Sequence, residues 1–391
     1  MASKKISSPK SRMLKPRTLA AQAMGHIDPA TKAVVMPLHV ATTYLRDSDN
    51  QYRSGFSYGR ADNATVRQAE EVIATLEGAR AALLFGSGMS AATALVMAHK
   101  PCHIVASQVM YWAFRSWLVN EAPRFGHTIS IVDTSNIAAV KRAVVPGKTK
   151  LVFIETPGNP LWTITDIAAV AKIAHAAGAR LAVDSTVATP VFTQPLKFGA
   201  DIVMHSASKY LNGHSDVIAG ALACAKPDAL WKRIETLRSQ HGLLLGPFEA
   251  WLLMRGMRTL DARVHAETRS AMWLAAQLVK NPNVAGVLYP GLRTHPDHAI
   301  AKRQMSGFGA MLSILVKRDE RAAIRTAANV KLWKRATSLG GVESLIEHRA
   351  SVEGPSSPCP PNLLRLSVGL EDPQDLYDDL AQALAKAVRR K

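Results

Sequence analysis

Between residues 60 and 225, short and almost wholly apolar runs alternate with Ala-rich stretches of helical pattern, and this alternation restricts the chain more than any other feature. The runs are AALLF (81–85), CHIVAS (102–107), TISIVD (128–133), LVFIE (151–155), LAVDS (181–185), DIVMHS (201–206) and AGALACA (219–225). Strands apolar on both faces and separated by helices require a largely parallel sheet covered on both sides. The helical segments carry their own boundaries. TVRQAEEVIATLEG (65–78) ends on Gly78, and ITDIAAVAKIAHAAGA (164–179) begins where Thr165 or Asp166 can cap it. The expected class is α/β.

Beyond about residue 255 the pattern changes to longer helices followed by two strand-like runs, AMLSILV (310–316) and LLRLSV (363–368), with the Pro/Ser-rich loop SVEGPSSPCPPN (351–362) before the second. This predicts a smaller α+β C-terminal domain. The chain has 391 residues, 48% of them hydrophobic, so it can bury more than one substantial core.

Lys and Arg number 48 against 30 Asp and Glu, a net charge of +18, which raises the question of a polyanionic partner. The densest basic runs lie in the tails, at Lys4, Lys5, Lys10, Arg12, Lys15 and Arg17 and again at Lys386, Arg389, Arg390 and Lys391. No RNP-like aromatics or finger pattern accompany the rest, so nucleic-acid binding is not expected. The most apolar stretch, 81–98, is broken by Gly86, Ser87, Gly88 and Ser90 and falls short of the roughly 20 residues of a membrane span. The basic N-terminus has no apolar segment behind it, so it does not read as a secretory signal. Cys102, Cys224 and Cys359 form no metal-ligand or disulfide pattern. A cytoplasmic protein without a metal site is the expectation.

Three segments point to chemistry. DIVMHSASKYLNGHSD (201–216) places Lys209, flanked by Ser206 and Ser208, at the carboxyl end of an apolar strand, where open α/β sheets build their sites. An ammonium there is partly desolvated, which makes the neutral, nucleophilic amine accessible near neutral pH, as a Schiff-base lysine requires. The competing reading is an ordinary lysine that snorkels to the surface. RLAVDSTVATP (180–190) ends its strand in Asp184, a carboxylate that is costly in such a place unless it meets a cation. A protonated pyridine nitrogen is such a cation; a turn or cap Asp is the alternative. LLFGSGMSAATALVMA (83–98) joins a strand to a helix through Gly86 and Gly88, whose free N–H groups favour a phosphate. It is not a dinucleotide fingerprint, because Ala91 stands where the third glycine would be, and it lacks the Gly-Lys-Ser/Thr of a P-loop.

A lysine for an imine, an acid for a ring nitrogen and a glycine turn for one phosphate are the anchors of pyridoxal 5'-phosphate. Their order and local wording resemble the Cys/Met-metabolism (transsulfuration) family of pyridoxal-phosphate enzymes, which contains cystathionine β-lyase, cystathionine γ-lyase, cystathionine γ-synthase and methionine γ-lyase. The motifs are Tyr58-Gly59-Arg60, Ser87-Gly88-Met89, Glu155-Thr156-Pro157-Gly158-Asn159-Pro160, Asp184-Ser185-Thr186, Ser206-Ala207-Ser208-Lys209-Tyr210, Ser338-Leu339-Gly340-Gly341 with Glu343-Ser344-Leu345, and Leu364-Arg365-Leu366-Ser367-Val368-Gly369.

The resemblance implies fold type I (aspartate-aminotransferase-like), with a mostly parallel seven-stranded sheet. It implies an N-terminal arm over 1–59 that reaches a neighbouring subunit, a large cofactor domain over 60–255 and a C-terminal domain over 256–391. Lys209 would form the Schiff base and shuttle protons through a quinonoid intermediate, with Asp184 keeping the pyridinium protonated and Tyr111 stacking on the ring. Gly88, Met89, Thr186, Ser206 and Ser208 would hold the cofactor, with Tyr58 and Arg60 reaching the phosphate of a neighbouring subunit in a dimer of dimers. Arg365, helped by Asn159, Ser338 and Tyr58, would bind the substrate. The implied activity is β- or γ-elimination from cystathionine or a related amino acid, with γ-replacement as the alternative, or γ-elimination from methionine or canavanine.

Departures from the family pattern are Trp112 after Tyr111, where glycine is common, Ser185 after Asp184, where asparagine is usual, and Thr337 before Ser338, where cystathionine γ-lyases and γ-synthases carry glutamate. Trp112 is expected to add a bulky ring beside the stacking face. Ser185 is expected to alter the hydrogen bonds around Asp184.

Overall fold

The structure, a computed structural model, describes residues 14–354 and 357–388. The basic residues Lys4, Lys5, Lys10, Arg12, Arg389, Arg390 and Lys391, and the first part of the expected arm, lie outside the described residues.

Every apolar run of the first half forms a strand: β1 (Ala81–Phe85), β2 (His103–Ser107), β3 (Thr128–Val132), β4 (Thr149–Glu155), β5 (Arg180–Asp184), β6 (Ile202–His205) and β7 (Gly220–Cys224). They make one seven-stranded sheet in the order β1-β7-β6-β5-β4-β2-β3. Only β7 opposes its neighbours, pairing antiparallel with both β1 and β6. The reversal is possible because the chain turns back directly after β6 through residues 206–219, with no crossover helix. Both faces are covered. One packs against the helices Gly88–Met97 and Trp112–Asn120, with Phe85, Leu95, Phe114 and Phe153 fully buried between them. The other packs against Ile167–Ala176, burying Val105, Val152, Ile154 and Val183. Two local expectations resolve clearly. Gly78 ends the helix Ala64–Glu77 at φ 66°, the left-handed cap that a side chain would strain. Asp166, rather than Thr165, caps Ile167–Ala176 by accepting from the Ala169 N–H.

The smaller second sheet comprises β8 (Val284–Leu288), β9 (Met311–Val316), β10 (Lys334–Arg335), β11 (Leu345–His348) and β12 (Leu363–Ser367), in the order β10-β11-β12-β9-β8. Runs 310–316 and 363–368 predict β9 and β12. β8, β10 and β11 carry no comparable sequence signal: β8 is interrupted by Gly286, β10 is two residues long, and β11 ends in Glu347 and His348. The helices Pro247–Met257 and Leu260–Leu278 join the two sheets, sharing one core with the apolar face of Ala64–Glu77 and with Leu312, Ile314, Leu364 and Leu366. Trp162 adds a polar tie, donating from Nε1 to Ser313 Oγ at 2.8 Å. No helix among the described residues is long and apolar enough to cross a membrane.

Candidate active site

At the carboxyl edge of the large sheet, where it meets the segment before β11, lies a cavity of about 540 Å³. It is lined by Gly88, Met89, Tyr111, Asn159, Asp184, Thr186, Ser206, Ser208, Lys209 and Ser338, ten of the residues singled out from sequence. Parallel strands bring them together because each ends at the same edge, so residues far apart in the chain become neighbours.

Lys209 sits four residues past the end of β6 on a turn closed by its own N–H donating to Ser206 O at 3.1 Å. Its Nζ donates to Ser338 Oγ at 2.8 Å. Ser338 adopts φ 97°, an unfavourable conformation for a non-glycine residue. The Lys209 ammonium is lowered to about 8, first by burial and then by the positive charge of Arg365. The ordinary surface-lysine reading is therefore excluded by geometry: the amine points into the cavity and is half-buried.

The pKa has a measurable consequence. Below about 8 Lys209 is protonated, and above it the amine is free. The rate at which the cofactor-free protein captures an aldehyde at this lysine should therefore rise with pH and level off just above 8. An unperturbed lysine would continue to gain reactivity towards about 10.4. Stopped-flow absorbance with pyridoxal phosphate would read this, and a rate still climbing at pH 10 would contradict it.

Asp184 closes β5 directly beside Glu155, the last residue of β4, in register. Its Oδ1 accepts from Thr186 N at 3.0 Å and Thr186 Oγ1 at 2.5 Å. Burial raises Asp184, and the two Thr186 hydrogen bonds oppose that rise. Glu155 is pushed well above the usual carboxylate range, by burial and then by the Asp184 charge. It also braces the cavity wall. Oε2 accepts from Tyr111 N at 2.7 Å and Oε1 from Asn159 N at 2.9 Å, so one carboxylate fixes two wall segments. Sequence reasoning does not single out Glu155 as a site residue. The signal that could have found it is the one that marks Asp184, an acid closing a wholly apolar strand.

The glycine turn opens the helix Gly88–Met97, whose Ser87 cap accepts from Ser90 N at 3.0 Å. A Cβ on Gly88 would sit 3.0 Å from Ser206 Cβ, closer than ordinary contact, so a side chain there would push the helix end and the β6 turn apart by a few tenths of an ångström. Thr186 Oγ1 accepts from Ser206 N at 2.8 Å, linking the acid to this cradle. The Ser208 hydroxyl is tied to Ala219, accepting from its N–H at 2.9 Å and donating to its carbonyl at 3.2 Å.

Arg365 stands behind Ser338, buried on β12. Nη2 donates to Ser338 O at 2.7 Å and Glu347 Oε2 at 2.6 Å, and Nη1 to Asn159 Oδ1 at 3.3 Å. Tyr58 and Arg60 lie elsewhere. Both are exposed, the guanidinium 5.2 Å from the Tyr58 ring centroid, and neither lines this chain's cavity.

Two of the departures take a different form from that expected. Trp112 does not line the cavity; its ring centroid is 6.3 Å from that of Tyr111, at 59°. The helix Trp112–Asn120 explains this, since Tyr111 and Phe114 share a face and Trp112 is turned about 100° away. Ser185 makes no hydrogen bond to Asp184. Its side chain is buried without a partner, and its N–H donates to Met204 O at 3.0 Å. Thr337 is exposed and lines the cavity, leaving a neutral group there.

The residues present fit pyridoxal phosphate: a half-desolvated amine, a buried acid with one oxygen engaged by Thr186, and a glycine-walled helix end lie around one cavity. Comparison with known proteins agrees. Residues 17–385 match the family described as Cys/Met metabolism PLP-dependent enzyme. Cystathionine gamma-lyase of Dictyostelium discoideum is 40% identical over 368 residues, covering 92% of this chain and 95% of that protein. L-methionine gamma-lyase of Treponema denticola is 39% identical over 376 residues, covering 91% and 94%. The crystal structure of cystathionine gamma synthase from Xanthomonas oryzae pv. oryzae in complex with cystathionine superposes with a TM-score of 0.91 at 34% identity, covering 96% and 99%. With motif order, site chemistry and whole-chain similarity in agreement, the chain belongs to the Cys/Met metabolism family of pyridoxal-phosphate-dependent enzymes.

Proposed function

We propose that this protein is a carbon–sulfur lyase that eliminates a substituent from Cβ or Cγ of cystathionine or a related amino acid. The observation that carries the reading is the double use of Ser338. Its hydroxyl receives Lys209 Nζ and its carbonyl receives Arg365 Nη2. One residue thus sets the spacing between a base and a carboxylate anchor, which is what aiming a Cα–H bond at an amine requires.

In this reading pyridoxal phosphate, when bound, supplies an electron sink for the charge left at Cα. Lys209 takes the Cα proton and returns it at a neighbouring carbon or to the leaving group. Asp184 would hold the proton on the ring nitrogen, and Tyr111, which lines the same cavity, would cover the ring face. Gly88 and Met89 would offer backbone N–H groups to the phosphate, with the Ser206 and Ser208 hydroxyls beside them and Thr186 positioning both Asp184 and Ser206. Arg365 has N–H groups beyond those given to Ser338, Glu347 and Asn159, and these take the α-carboxylate. Elimination at Cγ needs a second proton removal, at Cβ, within reach of the same Lys209 stem. Incubation with a panel of sulfur amino acids separates the outcomes: pyruvate marks β-elimination, 2-oxobutyrate γ-elimination, and a new thioether γ-replacement. No product from any of them would sink the proposal. Thr337 supports a second reading, because a neutral residue there suits a γ-substituted amino acid without a distal ammonium, such as methionine.

We further propose a homo-oligomer with shared sites. Val34, Val40 and Leu45 on the N-terminal arm are 72%, 70% and 95% exposed, apolar surface that a second copy would cover. Tyr58 at the end of that arm and Arg60 just past it are exposed, free to enter a neighbour's cavity. Arg60→Ala should then weaken cofactor retention by about tenfold or more, as loss of a charge-assisted phosphate contact does. Equilibrium dialysis checks this, and unchanged retention by a monomeric variant would count against shared sites.

A further inference from the structure

Behind the cavity runs a buried chain of four alternating charges. Arg365 Nη2 donates to Glu347 Oε2 at 2.6 Å, and Arg349 Nη1 donates to the same oxygen at 2.8 Å. Arg349 Nη2 and Nε then donate to Glu353 Oε1 at 2.8 and 3.1 Å. The side chains of Arg365, Glu347, Arg349 and Glu353 are 4%, 9%, 2% and 2% exposed, so solvent screens them little. Glu347 on β11 stands directly opposite Arg365 on β12. A carboxylate held this close to a carboxylate-binding guanidinium is a competitor for it: unshared, it would neutralise the very charge the substrate needs. It is shared, and the second cation is Arg349.

We propose that Arg349 is a positioning residue for the substrate's α-carboxylate. By dividing Glu347 with Arg365, it keeps the Arg365 guanidinium electrostatically available behind the cavity wall formed by Ser338 and Asn159, while Glu353 sets how strongly Arg349 pulls. The inference rests on the reading of Arg365 as the carboxylate anchor. Because the charges alternate, the two outer residues act in opposite directions. Removing Arg349 returns Glu347 wholly to Arg365 and weakens carboxylate binding. Neutralising Glu353 lets Arg349 hold Glu347 more fully and strengthens it. Loss of packing would weaken binding in both cases.

The test is calorimetric titration of the holoenzyme with glycine, which carries the α-carboxylate, and with methylamine, which does not. Arg349→Met should weaken glycine about 30-fold or more, the lower end of the range for losing one partner of a buried charge pair, with methylamine unchanged. Glu353→Gln should tighten glycine a few-fold and leave methylamine unchanged. If Arg349→Met fails to fold, Arg349→Met combined with Glu353→Gln leaves no unpaired buried acid and should still weaken glycine selectively, by about tenfold. Glycine affinity unchanged on loss of Arg349, weakened by Glu353→Gln, or lost together with methylamine affinity overturns the relay. Arg365→Met is the reference. If it removes the preference for glycine while Arg349→Met does not, the relay alone fails; if the preference survives both, the anchor reading fails and the relay with it.

Discussion

Lys209→Ala should lower turnover by about 10⁴-fold or more, the scale on which a group serving as both nucleophile and base is lost. The protein should stay folded and retain cofactor without a covalent bond. The ammonium is half-desolvated in the native chain and depressed to about 8, so its removal takes away an unfavourable burial rather than a stabilising pair. Its one hydrogen bond, to Ser338 Oγ, leaves a hydroxyl facing a polar cavity where water can replace the amine. The Gly88 cradle, Ser206 and Asp184 are untouched by the change. Product formation measures the first effect. Absorbance after desalting, and borohydride reduction followed by peptide mapping, measure the second. Turnover within tenfold of the unaltered protein would remove Lys209 from the mechanism.

Arg365→Met should lower kcat/KM by about 10³-fold, chiefly through KM but also through kcat. The guanidinium reaches Ser338, Asn159 and Glu347 at once, so its loss removes an anchor and frees two walls of the cavity. Misplacing a reacting group by about 1 Å is itself worth about a hundredfold. Arg365→Lys should rescue little, because a point donor on a flexible stem cannot replace a planar fork with several partners. Some stability should also be lost, since Glu347 then keeps Arg349 as its one cation while Glu353 competes for it. Steady-state kinetics with any accepted amino acid, alongside thermal unfolding, separates the two effects. An unchanged KM in the methionine variant would remove Arg365 from substrate binding.

Much of the site is legible in the sequence because parallel sheets impose a rule: chemistry gathers where strands end. Asp184 and Lys209 stand out for that reason, as polar residues at the ends of runs that should be buried on both faces. Glu155 obeys the same rule but is hidden inside a motif of turn residues, and its hold on Tyr111 and Asn159 depends on β4 and β5 ending level. Glu347 is harder to see. It lies on a four-residue strand with polar content, and its meaning depends on standing opposite Arg365. Trp112 shows the reverse error, since adjacency to Tyr111 in sequence suggests adjacency in the cavity, whereas one helical step turns it aside.

The sequence by itself determined the α/β class, the seven strands of the large sheet, the glycine turn that opens a helix and the candidate lysine and acid. These are local properties: hydrophobic periodicity, backbone freedom at glycine, and polar residues placed where burial makes them expensive. Only the tertiary structure decided that Ser338 ties Lys209 to Arg365, that Tyr58 and Arg60 stay out of this chain's own cavity, and that a second buried arginine shares Glu347. The first of these joins Lys209 to Ser338 across 129 positions, and the last depends on Glu347 meeting Arg365 across 18. A hydrogen bond or a shared charge depends on ångström distances through a weakly screening interior, and no spacing along the chain encodes such a distance until the sheets have folded against each other.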